Sequence, residues 1–232
     1  MLTFLGYTLV FLALLVSLYL VIRPAASSQP FLRTAAMGTQ SSPFLLLSLS
    51  FLLEATSLDL VSSYVGEGLP LLYRISAVWG SRSGPLLMWA SMMSVIAWLM
   101  SRDRTTDGAT IRIMHLWTFL LLLISAGLRP FSPAIPGSAG EISPLLQTDL
   151  MVIHPPVVFV YYSLCLATAS IAVSGLIRSR PSNETHASMI PWARYSFLAG
   201  TIGIGLGGLW AYTVLDWGGY WAWDPVETGS LL

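Results

Sequence analysis

An all-α integral membrane bundle is the fold this sequence predicts, and three observations predict it. Hydrophobic residues fill 55% of the 232 positions and charged residues only 9%, with a mean hydropathy of +0.72. The apolar residues gather into runs close to the roughly 20-residue length that crosses a bilayer. The arginines fall almost entirely between those runs, in connections also rich in Pro, Gly and Ser. Soluble domains do not combine such hydropathy with so few charges.

About six spans can be read in order: Leu2–Ile22, Pro43–Ser62, Gly84–Ser101, Ile113–Leu128, Pro155–Ile177 and Tyr195–Leu215, with the start of a seventh from Pro225. The first run has no basic segment before it and is long enough to span, so it is not read as a signal peptide. No internal repeat or low-complexity tract divides the chain. Residues 1–232 are therefore expected to form a single transmembrane bundle, carrying a tryptophan-rich segment over 210–229. The helix starting at Pro225 would rise only about 12 Å before Leu232, so the chain is expected to be the N-terminal portion of something longer.

Arginine placement predicts orientation. The connections after spans one, three and five hold Arg23, Arg33, Arg102, Arg104, Arg112, Arg178, Arg180 and Arg194, and those after spans two and four hold only Arg74, Arg82 and Arg129. By the positive-inside rule the N-terminus lies outside, and the tryptophan-rich segment faces the periplasm or, in a mitochondrion, the intermembrane space. The 11 basic and 11 acidic residues balance, so the chain has no field to attract nucleic acid. Cys165 is the only cysteine. That excludes an internal disulfide, a Cys-x-x-Cys pair and a self-contained covalent haem site, and leaves a small packed hydrophobe.

The densest cluster of unusual residues is Trp217-Gly-Gly-Tyr220-Trp221-Ala-Trp223-Asp224-Pro225-Val-Glu227. Its rings suit a flat ligand, and they equally suit an interfacial aromatic belt. Asp224, Pro225 and Glu227 fit the cap, first position and third position of a helix. On the same predicted side stands His154-Pro155-Pro156, where Pro155 is expected to hold His154 extended at the mouth of span five. His115 and His186 are expected to be interfacial and solvated on the opposite side. Glu54 falls near the middle of span two, where a charge needs a partner, a proton or the bundle interior. Asp59 lies closer to the outer interface.

A porphyrin is a wide flat π-surface with an iron that takes axial ligands and propionates that take cations. Trp217, Tyr220, Trp221 and Trp223 could stack on it, His154 could ligate the iron, and Arg74, Arg82 or Arg129 could meet the propionates. A quinone head group would also use the aromatics but has less need of the imidazole. No ring of charges or carbonyls suggests a channel.

The segment from Trp217 to Glu227 resembles the tryptophan-rich "WWD" signature of haem-handling membrane proteins. Its Asp-Pro-Val-Glu ending is similar to the CcmF-type cytochrome c haem lyases, where the related CcsA branch usually has Lys in place of Val226. Leu69-Pro70-Leu-Leu-Tyr73 through Trp79-Gly80 to Leu86-Leu87-Met-Trp89 and Pro144-Leu-Leu-Gln147 through Ile153-His154-Pro155-Pro156 resemble the same family in order and spacing. The resemblance implies that His154 is the first of two outer-face histidines that ligate the haem to be attached, with the tryptophans and Asp224 around it. It implies haem b as substrate, and a permanent b-type haem shared with a C-terminal CcmF portion or chain. It also implies a haem carrier (CcmE-like), an apocytochrome c whose Cys-x-x-Cys-His thiols add across the haem vinyl groups, and its thiol-handling chaperone (CcmH-like). The setting would be an energy-transducing membrane, mitochondrial inner or bacterial cytoplasmic. No residue is assigned as an acid–base catalyst. Arg82-Ser83 stands where the family usually has His-Glu, Tyr220 where Trp is common, Asp216 where Gly is common, and Thr228-Gly229 where Asn-Ala is frequent. Two other readings share many of these features: a haem-binding or transport module without ligation activity, and a quinone-binding or structural subunit of a respiratory complex.

Overall fold

The computed structural model describes residues 1–23, 29–66, 68–103, 106–137, 139–214, 219, 221, 223 and 228–230. Among them the elements are α1 (Leu2–Ile22), α2 (Pro30–Leu52), α3 (Asp59–Tyr64), α4 (Leu71–Gly80), α5 (Gly84–Arg102), α6 (Gly108–Gly127), a 3₁₀ turn (Pro144–Leu146), α7 (Asp149–Ile177) and α8 (Ser182–Val214). No strand forms among the described residues. Helices α1, α5, α6, α7 and α8 are each long and apolar enough to cross a membrane, and α2, at 23 residues, matches them in length. The protein is an α-helical polytopic membrane protein.

The long helices differ in how much they bury: α1 buries a narrow seam, whereas α5 is buried at 9 of its 19 positions. In α1 the buried positions are Gly6, Val10, Ala13, Ser17 and Leu20, which alternate four and three apart along one stripe. Phe4, Phe11, Leu15, Leu18 and Ile22 are exposed around it, as a lipid-facing surface requires. Helices α7 and α8 pack along their length, while α5 bridges α2, α6 and α7.

The second span departs from its predicted limits. Helix α2 runs from Pro30 to Leu52 rather than from Pro43 to Ser62. Its first half is polar, but Gln40 is buried, donating from Nε2 to Ser17 Oγ (2.8 Å) and accepting at Oε1 from Ser94 (2.7 Å). Pro43 lacks an amide proton for the Thr39 carbonyl, and the Ser42 hydroxyl donates to that carbonyl instead (2.9 Å). The helix then ends, and Glu54 takes a positive φ of 51°. Glu54 is thus not at mid-membrane: it lies two residues past α2, half exposed, in an ion pair with Arg74. Leu58, Leu60 and Val61 belong to the core beneath the loops, not to a lipid-facing span.

His115 also departs from expectation. It is buried in α6 with 7% exposure, and its Nδ1 lies 3.2 Å from Gln40 Nε2. His186 is exposed on the first turns of α8.

Two ends of the bundle can be distinguished by their contacts. At one, the loops after α2 and α6 join. Asp59 N donates to Ser132 O (2.9 Å), Ala134 N to Ser57 O (2.9 Å), Gly140 N to Ser62 O (3.0 Å) and Ile142 N to Tyr64 O (3.1 Å). The start of α1 reaches the same place, with Tyr7 Oη 3.3 Å from Ser132 Oγ. At the other end Asp107 caps α6 and binds Ser174 of α7 (2.7 Å), with Arg178 and Arg180 at 3.6 and 3.8 Å. Helix α3, 6 residues, takes up the predicted end of span two, and the loop predicted after that span contains α4, 10 residues. At about 9 and 15 Å, both are too short to span.

Candidate functional site

Helix α7 begins before the prolines that were expected to start it. Thr148 caps it, its hydroxyl accepting from Met151 N (3.3 Å), and the helix continues through Pro155 and Pro156. His154 is therefore helical, not extended. A proline inside a helix frees the carbonyl four residues back, here that of Met151. The indole of Trp79, at the end of α4, donates to that carbonyl at 2.7 Å. Tertiary structure thus supplies what the local rule omits.

Around His154 the two longest helices meet through a glycine stripe. Gly200, Gly203 and Gly207 of α8 face Tyr161, Val157, Val158 and His154 of α7. A Cβ on Gly207 would fall 2.8 Å from His154 Cε1, so only glycine admits the imidazole there. The His154 Nδ1 lies 3.0 Å from Gly203 O. A carbonyl can only accept, so Nδ1 carries the proton and donates. In the neutral ring Nε2 then holds its lone pair, the arrangement a metal-ligating histidine uses. The Trp210 ring packs edge-on against His154, with centroids 5.7 Å apart and planes at 63°.

Trp210 is not among the site residues expected from the sequence. Its signal was present: Gly203, Gly207 and Trp210 recur at four and three residues, one face of a helix.

Tyr161 Oη donates to Ser230 O (3.3 Å) and Tyr162 Oη lies 3.0 Å from Ser230 Oγ, so the helical turn at 228–230 rests on α7 two turns past His154. Between α8 and that turn lie Trp221 and Trp223, edge to face with centroids 5.9 Å apart. Trp223 is exposed, with φ of +58°. The buried indole nitrogens of Trp210 and Trp221 have no hydrogen-bond partner among the described residues. Trp217, Tyr220 and Asp224 lie outside the described residues.

The three candidate cations divide. Arg74 is held by Glu54 and donates from Nε to Leu69 O (2.7 Å). Arg82 and Arg129 are exposed, and neither has an ion pair among the described residues. Arg82 follows Trp79 by three residues, in the elbow between α4 and α5 that Trp79 ties to the first turn of α7.

Fold and site together define a class: a polytopic helical membrane protein with, at one end of its bundle, a histidine beside tryptophan whose Nε2 has no hydrogen-bond partner among the described residues. Comparison narrows it. Residues 79–232 match the family model for cytochrome C assembly proteins. The chain is 32% identical over 197 residues to the cytochrome c-type biogenesis protein NrfE of Haemophilus influenzae, covering 81% of this chain and 31% of that protein. It is 31% identical over 219 residues to CcmF of Escherichia coli, covering 90% and 34%. The solved structure of the cytochrome c heme lyase CcmF superposes on the whole chain with a TM-score of 0.76 at 23% identity, over 40% of its own length, a likeness of fold. The chain belongs to the cytochrome c assembly protein family. It spans about a third of the length of the NrfE and CcmF relatives it matches.

Proposed function

We propose that this chain supplies the haem-holding part of a cytochrome c haem lyase, the joining of haem to apocytochrome c requiring the further length its relatives have. One observation carries the reading: the Gly203 carbonyl fixes His154 in the tautomer whose Nε2 bears the lone pair a metal would take. The reading is supported by the packing of that ring against Trp210, on the helix where the turn at 228–230 also rests. Haem, when bound, supplies an iron for the imidazole and vinyl groups for the cysteines of the cytochrome. The chain's own residues hold and orient: His154 as axial ligand, Trp221 and Trp223 with Trp217, Tyr220 and Asp224 as the surrounding segment, Arg82 and Arg129 for the propionates. Arg74 is a weaker candidate for that role, because Glu54 already neutralises it. Haem carrier, apocytochrome, thiol-handling chaperone and the C-terminal portion are the partners this reading calls for.

The arginine pattern supports the orientation read from the sequence, with His154 and the tryptophan segment on the periplasmic or intermembrane-space face. Reporters fused near Asn183 and near Gly137 should read inside and outside respectively; the reverse result removes the outer-face assignment. Membranes holding the full-length protein should show a Soret band that His154→Ala weakens by tenfold or so in haem occupancy, the scale of losing an iron ligand or its supporting contacts. If purified wild type binds hemin and catalyses no thioether formation with apocytochrome and carrier present, the transport-module reading replaces this one.

A further inference from the structure

Trp79 and Met151 are 72 positions apart in sequence and are joined by one hydrogen bond, four residues before Pro155. Pro155 brings no amide proton, so the Met151 carbonyl loses the donor that every preceding residue of an ideal helix would have. Trp79 Nε1 meets that carbonyl at 2.7 Å. The indole is held in place from behind: α4 is anchored through Arg74, which binds both Glu54 and the Leu69 carbonyl, and Gly80 lies against Met151 and Ile142 so closely that a Cβ would meet Met151 Cε at 3.0 Å. His154 lies in the turn between the capped carbonyl and the proline, immediately before Pro155. Helices bend at proline by an amount that depends on how the freed carbonyl is satisfied. The setting of the Met151 carbonyl therefore bears directly on the direction of the His154 side chain.

We infer that Trp79 is a positioning residue for His154: its indole N–H substitutes for the proton Pro155 lacks, and so fixes the helical turn that aims the imidazole at its ligand. The inference rests on the haem reading for the identity of that ligand, and on the hydrogen bond alone for the coupling. The role belongs to the N–H, not to the ring. Phenylalanine at 79 keeps an aromatic ring and leaves the carbonyl without its donor. Alanine at 155 gives the carbonyl a backbone donor and makes the indole N–H redundant.

The experiment is a double-mutant cycle in the full-length protein purified in detergent. Hemin titration followed by absorbance gives the dissociation constant. Reaction with diethyl pyrocarbonate, read peptide by peptide in the mass spectrometer, gives the accessibility of the His154 nitrogen without haem. Trp79→Phe should weaken hemin binding on the order of tenfold, the scale of one buried acceptor left unsatisfied. It should also shift the His154 modification rate. In the Pro155→Ala background the same Trp79→Phe change should alter both by less than about twofold. An equal loss in both backgrounds means that the ring acts by packing, and overturns the inference. If wild type and His154→Ala bind hemin alike, the haem reading fails, while the modification rates still decide whether Trp79 and Pro155 are coupled at His154. His115 and His186, in the same digest, serve as controls and should not change.

Discussion

His115 and His154 sit on long helices of one apolar bundle, and their neighbours give them opposite ring chemistry. At His115 the facing group is the side-chain nitrogen of Gln40. Ser17 already donates to Ala13 O (2.8 Å), so it accepts from Gln40, and Ser94 donates to the amide oxygen. The amide orientation is thereby fixed, its second N–H points to His115, and Nδ1 must accept. At His154 the facing group is a backbone carbonyl, and Nδ1 must donate. One histidine closes a polar knot linking α1, α2, α5 and α6. The other keeps an unprotonated Nε2 at the seam of α7 and α8. A histidine's role here follows from one partner atom, not from its depth in the membrane.

The widest separation between the two is expected on removing each ring. His154→Ala should abolish or strongly weaken the haem spectrum, by tenfold or more in occupancy, and change the unfolding midpoint little. His115→Ala should do the reverse. It leaves a Gln40 N–H unsatisfied and opens a cavity beside the buried Ser17, Gln40 and Ser94, a cost of about 2–4 kcal/mol. Thermal unfolding in detergent beside hemin titration measures both. Equal haem loss in the two variants would mean that the comparison reports general fragility.

A gentler change acts on the glycine side of the seam. Gly207→Ala brings a Cβ to 2.8 Å from His154 Cε1, so the ring or the helix must shift, at roughly 1–3 kcal/mol. Hemin affinity should fall about fivefold or more. Gly38→Ala in α2 has nothing within 4 Å of the new atom and should leave affinity unchanged, with stability level or slightly raised. If both behave alike, the α7–α8 seam does not govern the imidazole.

Legibility in the sequence differed between these same regions. Helix α1 matches its predicted limits, and α5 differs by one residue, because each is a dense apolar run with arginine and other polar residues marking its end. Helix α2 was displaced for a physical reason. Hydropathy counts Gln40, Ser41 and Ser42 as loop-like, whereas the bundle buries Gln40 and Ser41 and satisfies Gln40 within it. It also counts Leu58–Val61 as membrane, whereas the chain folds them beneath the loops. His154 was recognised as a candidate from its motif, but its conformation was not, since the donor for the Met151 carbonyl comes from 72 residues earlier. The Arg74–Glu54 pair has the same character: each charge is visible alone, and their meeting depends on where α2 ends. A single sequence shows what a residue can do, while its partner decides what remains of that capacity.

The smallest expected effect belongs to the arginine end, which serves as the contrast to both histidines. Burial acts to raise the Asp107 pKa, but hydrogen bonds from Ser174, from the backbone and side chain of Thr110, and from the Ala109 backbone outweigh it and hold the carboxyl below its ordinary value. A carboxylate whose pKa is lower when folded adds stability above its unfolded pKa, and that stability is lost as pH falls through the folded value. Asp107→Asn keeps a side chain able to cap α6 and removes the charge facing Arg178 and Arg180. Wild type should therefore be more stable than the variant by about 0.5–1 kcal/mol at neutral pH. The difference should narrow as pH falls below about 4, in thermal unfolding at a series of pH values. A gap that stays constant through that range would show that the carboxylate acts through shape alone, and would leave the arginine end held by packing, like the rest of the bundle.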